Sequence, residues 1–342
     1  MSYSIEKLVF YLRGLFSAPI ICELSKRKVF IYKKNKAYFD KNAFDKIKGK
    51  KELIACLNYL DRIDLIKKLE NNNFEFTEMG VEIFKRANSY YVPHSYREYI
   101  LNLGNILDNK VNIKKLKVDR DENIIGSGKT HMRYFPPVIS YLSRNNSYDV
   151  AIDVGCGNGH FLNLMASYFN NIELIGFDIS NVSVKSAKKI KKDYPKNKIN
   201  IFKEDASKVS TWSNKINKMT KKKKKIIFFW FLLHEISDNK SSKIIKYLKD
   251  VKKNFPDATL VACELTKQSV NIFKKNCDKS LMPEYLLFHD FSNQGILSFS
   301  DYRNIISKAG YKVKKEWLFD QNSASNGEPE PSTFVWVLEN KT

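Results

Sequence analysis

The sequence predicts a doubly wound α/β domain with a parallel sheet, preceded by a smaller, mainly helical domain. Three observations carry this. From Asp149 onward, short apolar runs alternate with segments of helical period. A loop with three alternating glycines, Gly155, Gly157 and Gly159, separates the first of those runs from the helix after it. Before residue 105 the apolar residues recur mostly at helical spacing instead. At 342 residues the chain suits two domains or three, and 43% hydrophobic with 13% aromatic residues is enough for a sizeable core, which excludes wholesale disorder.

The first element is a strongly apolar helix, Ile5 to Leu24, whose composition suggests packing against a partner. No apolar run reads as long enough to span a bilayer, because Leu8 to Cys22 is broken by Arg13. Glu6 and Lys7 cancel, so no basic leader precedes it. Lys51 to Leu69 carries apolar residues at 53, 54, 57, 60, 63, 65, 66 and 69, close to a 3.6 period. A polar Asn71-Asn72-Asn73 turn, a short Phe74-Glu75-Phe76 strand and a Thr77-Glu78-Met79-Gly80 helix start follow, with a helix from Val81 to about Asn88. Helix, short strand, helix is the order of a winged-helix unit. The charged, weakly periodic stretch from Asn105 to Gly126 reads as a connector. The expected divisions are therefore 1–105, a connecting 106–130, and 131–342.

In the second domain the strands are expected at 149–154, 173–177, 198–202, 225–231 and 259–263. Helices are expected between them, at roughly 158–169, 183–193, 207–219 and 241–254. Four of the strands are plain apolar runs, as required when both faces of a sheet are covered. A helical insertion at about 267–298, a helix near 300–309 and strands at 311–319 and 333–338 complete the chain. The polar loop 320–332 makes the last two strands a closing antiparallel hairpin.

The net charge of +22 rests on lysine, with only nine arginines among 59 basic residues. Sixteen lysines and three acids lie between Lys185 and Lys225. A solvated helix face plus a loop accounts for them, with an RNA-binding patch as the alternative. Five cysteines, at 22, 56, 156, 263 and 277, are odd in number and scattered, so neither a disulfide framework nor a cysteine zinc site is expected. The expected setting is the reducing cytoplasm, with no membrane association.

The most specific local pattern is Ala151-Ile152-Asp153-Val154-Gly155-Cys156-Gly157-Asn158-Gly159-His160-Phe161. Glycines are needed where the turn takes positive φ and the backbone approaches a ligand. Asp153 precedes the first glycine by two residues, and Asp178 ends the next strand, where the ribose hydroxyls of a nucleoside cofactor are gripped. Glu204 and Asp205 follow the third strand, placed to hydrogen-bond an adenine amino group. This constellation resembles the class I S-adenosylmethionine (SAM) methyltransferases. The resemblance covers about 130–342 and implies a Rossmann-like domain that binds SAM. An acid ahead of the glycines suits a cofactor with an ammonium and a sulfonium but no pyrophosphate.

With a winged-helix-like front domain, the chain resembles the small-molecule methyltransferases related to plant and bacterial O-methyltransferases, in which the front domain dimerises. The segment Phe229-Trp230-Phe231-Leu232-Leu233-His234-Glu235-Ile236-Ser237-Asp238 resembles their motif after the fourth strand, and the resemblance makes His234 the base that deprotonates a substrate. A second histidine, His289, lies in Glu284-Tyr285-Leu286-Leu287-Phe288-His289-Asp290-Phe291, within the insertion. Two imidazoles and one carboxylate, His234, Glu235 and His289, resemble the metal-binding set of the α-keto acid C-methyltransferases. That resemblance implies a divalent metal (iron, zinc, cobalt or manganese) chelating an α-keto acid, whose β-carbon is methylated through a metal-stabilised enolate. The alternative has Glu235 facing solvent and His289 in the core or lid. Arg133, beside His131 and Tyr134, is placed to pair with a cofactor or substrate carboxylate, or else lies exposed in the linker. The expectation is a homodimeric methyltransferase of an α-keto acid. Metal-free O-methylation by His234 is one alternative, and a nucleic-acid-binding methyltransferase-like protein the other.

Overall fold

Turn and cap residues set the boundaries of the front domain more than apolar period does. A computed structural model of the chain describes residues 5–341 other than 34–35, 71–72, 146–147, 238–239, 277–280, 293 and 324–326. It divides into one unit of Met1–Glu98 with Val118–Lys129 and another of Tyr99–Lys117 with Thr130–Thr342.

In the first unit the helix Ile5–Lys26 leads into an antiparallel hairpin of β1 (Phe30–Lys33) and β2 (Lys36–Phe39). The helix Lys50–Arg62 ends earlier than its apolar period predicts, because Asp64 turns the chain at φ 58°. Leu65 and Ile66 then enter the core from β3 (Ile66–Lys68), which pairs antiparallel with β4 (Phe74–Phe76) as the wing. Thr77 caps the next helix, Glu78–Lys85, accepting from the Gly80 amide at 3.0 Å. A Cβ at Gly80 would lie 1.7 Å from the Leu65 carbonyl oxygen, so only glycine fits there. The expected Asn71-Asn72 turn and Cys277 lie outside the described residues.

Two expectations for this region need correction. Part of the expected connector, from Arg120, is helical (Arg120–His131). Its Glu122 is buried and bound by Lys26, by His94 at 2.8 Å and by Arg97 at 2.8 Å. Leu8–Lys26 is long and apolar enough, by length and composition, to cross a membrane, since the single Arg13 does not interrupt it sufficiently. Most of that stretch is exposed, including Phe10, Tyr11, Leu12, Leu15 and Phe16.

The second unit is a seven-stranded mixed sheet. Its strands are β5 (Val150–Val154), β6 (Glu173–Asp178), β7 (Ile199–Lys203), β8 (Lys225–Trp230), β9 (Thr259–Leu265), β10 (Tyr311–Phe319) and, after a short β11 (Asn322–Ser323) and β12 (Pro329–Glu330) ladder, β13 (Thr333–Asn340). The order is β7-β6-β5-β8-β9-β13-β10, with β13 antiparallel to both neighbours. Alternate residues face two separate cores, one holding Trp212, Tyr247 and Tyr302, the other Phe135, Phe161 and Phe228. Burial on both sides explains why the central strands read as continuous apolar runs. The chain leaves β5 toward β6 and β7 on one side and later builds β8 and β9 on the other. That reversal opens a crevice at the carboxyl ends of β5 and β8, where α/β sheets bind ligands.

Many of the lysines between 185 and 225 face solvent, among them Lys185, Lys188, Lys189, Lys191, Lys192 and Lys196. Lys198 and Lys223 both pair with the buried Glu173, at 3.0 and 2.7 Å.

Candidate active site

The three glycines leave β5 in left-handed conformations, with φ of 72° at Gly155, 51° at Gly157 and 78° at Gly159. A Cβ at Gly159 would sit 2.6 Å from Ile190 Cδ1 and 3.0 Å from Ala187 Cβ. The loop is latched to the end of β6 by Asp178. One carboxylate oxygen accepts from the Gly157 amide at 3.0 Å, the other from the Ser180 amide at 2.8 Å. Asp153 is buried at the end of β5, and burial, with the charge of Asp178, pushes its carboxyl up to about 8. After β7, the Glu204 amide donates to the Asp178 carbonyl at 3.1 Å. Asp205 folds the next turn by accepting from the Ser207 amide and hydroxyl at 2.9 and 2.7 Å. All seven residues named for the cofactor thus stand at the carboxyl ends of three adjacent strands, β5, β6 and β7.

His234 follows β8. Phe231, at φ 52°, donates its amide to the Cys263 carbonyl at 2.8 Å, and the short helix Leu233–Ser237 starts beyond it. His234 is only 4% exposed. Its Nδ1 is 2.7 Å from Oε2 of Glu264, a fully buried carboxylate on β9 whose Oε1 accepts from the Leu233 amide at 2.5 Å. A carboxylate only accepts, so Nδ1 carries the proton and Nε2 presents a lone pair. Sequence reasoning missed Glu264. The available signal was a charged residue in a strand otherwise apolar on both faces, where an ionised side chain needs dedicated donors.

His289, on the helix Met282–Phe291, is also buried, and its ring lies edge-on to that of His234 at 5.1 Å between centroids. Its Nδ1 donates to the Tyr285 carbonyl at 2.5 Å. His131 stacks on Phe231 at 3.8 Å, and burial, with the charges of His234 and His160, holds its imidazole down at about 3. It is neutral at physiological pH.

Two expectations are corrected by this geometry. Successive helical residues diverge by about 100°, so with His234 turned inward Glu235 turns outward, and it is exposed. Among the described residues, the donor atoms of His234, Glu235 and His289 do not gather within 4.8 Å of one another. The set that does, Cys22, His94 and Glu122 in the first unit, has its carboxylate already bound by Lys26 and Arg97. Arg133 donates to the Tyr134 hydroxyl and to Asp320, both at 2.6 Å, and Asp320 also accepts from Ser332. Its Nη2 therefore fastens the end of β10, which commits part of the guanidinium away from a ligand carboxylate. Asp238 of the sequence motif lies outside the described residues.

Residues 145–285 match the family described as methyltransferase domain, and residues 13–109 match the AprA winged helix domain. The first match includes the glycine loop, His234 and Glu264 but ends before His289. No curated protein matches the sequence. Among solved structures, mitomycin 7-O-methyltransferase is similar over 98% of this chain and 97% of its own, with a TM-score of 0.62 and 11% identity. Human N-acetylserotonin methyltransferase in complex with SAM is similar over 100% and 99%, with 0.59 and 13%. The CurJ carbon methyltransferase is similar over 99% and 93%, with 0.52 and 13%.

Proposed function

We propose that the chain is a SAM-dependent methyltransferase with a winged-helix front domain and that it methylates a small-molecule acceptor whose proton is taken by His234 while Glu264 holds the imidazole. The observation that carries this is the 2.7 Å contact between His234 Nδ1 and Glu264, both buried at the carboxyl end of the sheet. The carboxylate keeps Nε2 as the basic nitrogen and balances the imidazolium that forms on proton uptake.

The site's chemistry suits the cofactor. A buried acid, pushed up by burial and by a second acid, is a place that favours a cation. Glycines at positive φ keep side chains out of the cradle. We assign Asp153 with Gly155, Gly157 and Gly159 to the methionine end, Asp178 to the ribose hydroxyls, and Glu204 and Asp205 to the adenine. When bound, SAM supplies an electrophilic methyl group on a sulfonium. The residues of this chain then align the acceptor, exclude water and remove its proton.

A panel of phenols, other hydroxyl compounds and α-keto acids, read by release of S-adenosylhomocysteine, tests the reading. For the acceptor that turns over, His234→Ala is expected to lower kcat by about 10²–10⁴-fold and to leave SAM affinity within about twofold. Full activity in that variant would end the proposal.

One observation favours a second, metal-assisted reading. His289, like His234, commits Nδ1 to an acceptor and faces the same space. Histidines that ligate metals commonly have the other nitrogen fixed in this way. Here His234 and His289 are two donors for a divalent ion that polarises an α-keto acid, with Glu264 behind His234. Elemental analysis is expected to find about one equivalent of metal in the wild type and far less in His289→Ala. Metal in neither, even after anaerobic reconstitution, would leave the metal-free base alone. We also read the exposed apolar side of Ile5–Lys26 as a homodimer contact, which a monomer mass at sedimentation equilibrium would rule out.

A further inference from the structure

Behind the His234–Glu264 pair lies a side chain with no assigned task. On β9, Leu260 and Ala262 pack into the core that contains Tyr302, whereas Val261 and Cys263 pack into the opposite one. Strand alternation therefore puts Glu264 on the Tyr302 face. Phe334 on β13 is the cross-strand partner of Glu264, and its ring packs edge-on against Tyr302 at 5.2 Å. Tyr302, on the helix Phe299–Lys308, is fully buried, and among the described residues its hydroxyl donates no hydrogen bond. The Leu297 backbone lies against the oxygen of that hydroxyl, which leaves its proton to be donated elsewhere. Burial first, then the charges of Glu264 and Asp301, push the phenol well above its ordinary range, so it remains a donor.

A buried hydroxyl without a partner is costly, and phenylalanine would fill the same volume without that cost. Glu264 accepts from the Leu233 amide and from His234, while an ionised carboxylate has about four acceptor positions. Bonds of this kind are commonly long or open before a site is loaded and tighten afterwards.

We propose that Tyr302 is a positioning residue for Glu264, its hydroxyl becoming the carboxylate's third donor when the cofactor is bound. This rests on the reading of His234 as a base oriented by Glu264. The third bond would restrict the carboxylate's rotation and keep the Nδ1–H of His234 engaged.

The test needs no acceptor. Protein labelled with ¹⁵N-histidine and saturated with SAM is compared as wild type, Tyr302→Phe and Glu264→Gln, with the His234 Nδ1 proton assigned by its loss in His234→Ala. In wild type the proton is expected to be observable and protected from solvent exchange. In Tyr302→Phe its exchange should be about tenfold faster with Tm equal to or above wild type. Unchanged exchange in Tyr302→Phe would overturn the proposal. So would a fall in Tm of more than a few degrees, since the hydroxyl would then have a structural partner. If the wild type shows no Nδ1 proton that depends on Glu264, the base reading itself fails, and Tyr302 has nothing to position.

Discussion

Glu264→Gln is expected to lower kcat by about 10³–10⁴-fold with little change in SAM affinity or in Tm. The amide oxygen can keep the Leu233 N–H bond that Oε1 now accepts at 2.5 Å. The amide nitrogen then faces His234 Nδ1, and two donors cannot share that contact. The imidazole answers by moving its proton to Nε2, the position that must be empty to receive the acceptor's proton. The same change removes the negative charge that balances the imidazolium, so the acid limb of the pH–rate profile should move to lower pH. Rapid-quench kinetics across pH, beside thermal unfolding, checks both effects. A variant within about threefold of wild type would show that Glu264 only braces the helix at Leu233, and His234 would lose its claim to be an oriented base.

That partner was hidden from sequence reading for a topological reason. Glu235 sits beside His234 in the chain, so adjacency favoured it, yet a helical turn sends neighbours apart. Glu264 lies thirty residues away. The parallel pairing of β8 with β9 sets Trp230 against Cys263, so the residues just beyond that pair emerge side by side. Register of this kind is not carried by any local pattern. The glycine loop and its acids form a local pattern because each stands at or just past a strand end, and the strands themselves were legible as apolar runs. Elements that owe their place to contacts were harder to read. The helix Arg120–His131 contains Gly126 and Gly128 and reads as a connector. A Cβ at Gly126 would meet Val92 Cγ2 at 2.6 Å, so the residue that weakens the helical signal is required by packing. The four-residue strands β1 and β2 are too short for their alternation to stand out.

Asp153→Asn is expected to stabilise the free protein and to weaken cofactor binding, both in a pH-dependent way. Burial, with Asp178, raises the carboxyl from 3.8 to about 8 in the folded chain. Below about pH 4 folded and unfolded states both hold the proton, and Asp153 adds nothing to the pH dependence. Between about pH 4 and pH 8 the unfolded chain ionises while the folded one retains its proton, so the residue destabilises the fold increasingly and levels off above about 8. Asparagine does not ionise, so its gain in Tm should be small at about pH 4 and several degrees at about pH 8. The cationic end of SAM reverses the preference by drawing Asp153 into its carboxylate form. Binding near neutral pH should then release a proton, and SAM affinity should rise by up to about tenfold per pH unit until about pH 8. Calorimetry in buffers of different ionisation enthalpy measures that proton, and the titration repeated on Asp153→Asn should show no release, a flat pH dependence and affinity lower by about tenfold or more. Equal affinities for the two proteins across that range would place the cofactor's cation elsewhere, and the buried acid would be a structural group of the strand end rather than part of the SAM cradle.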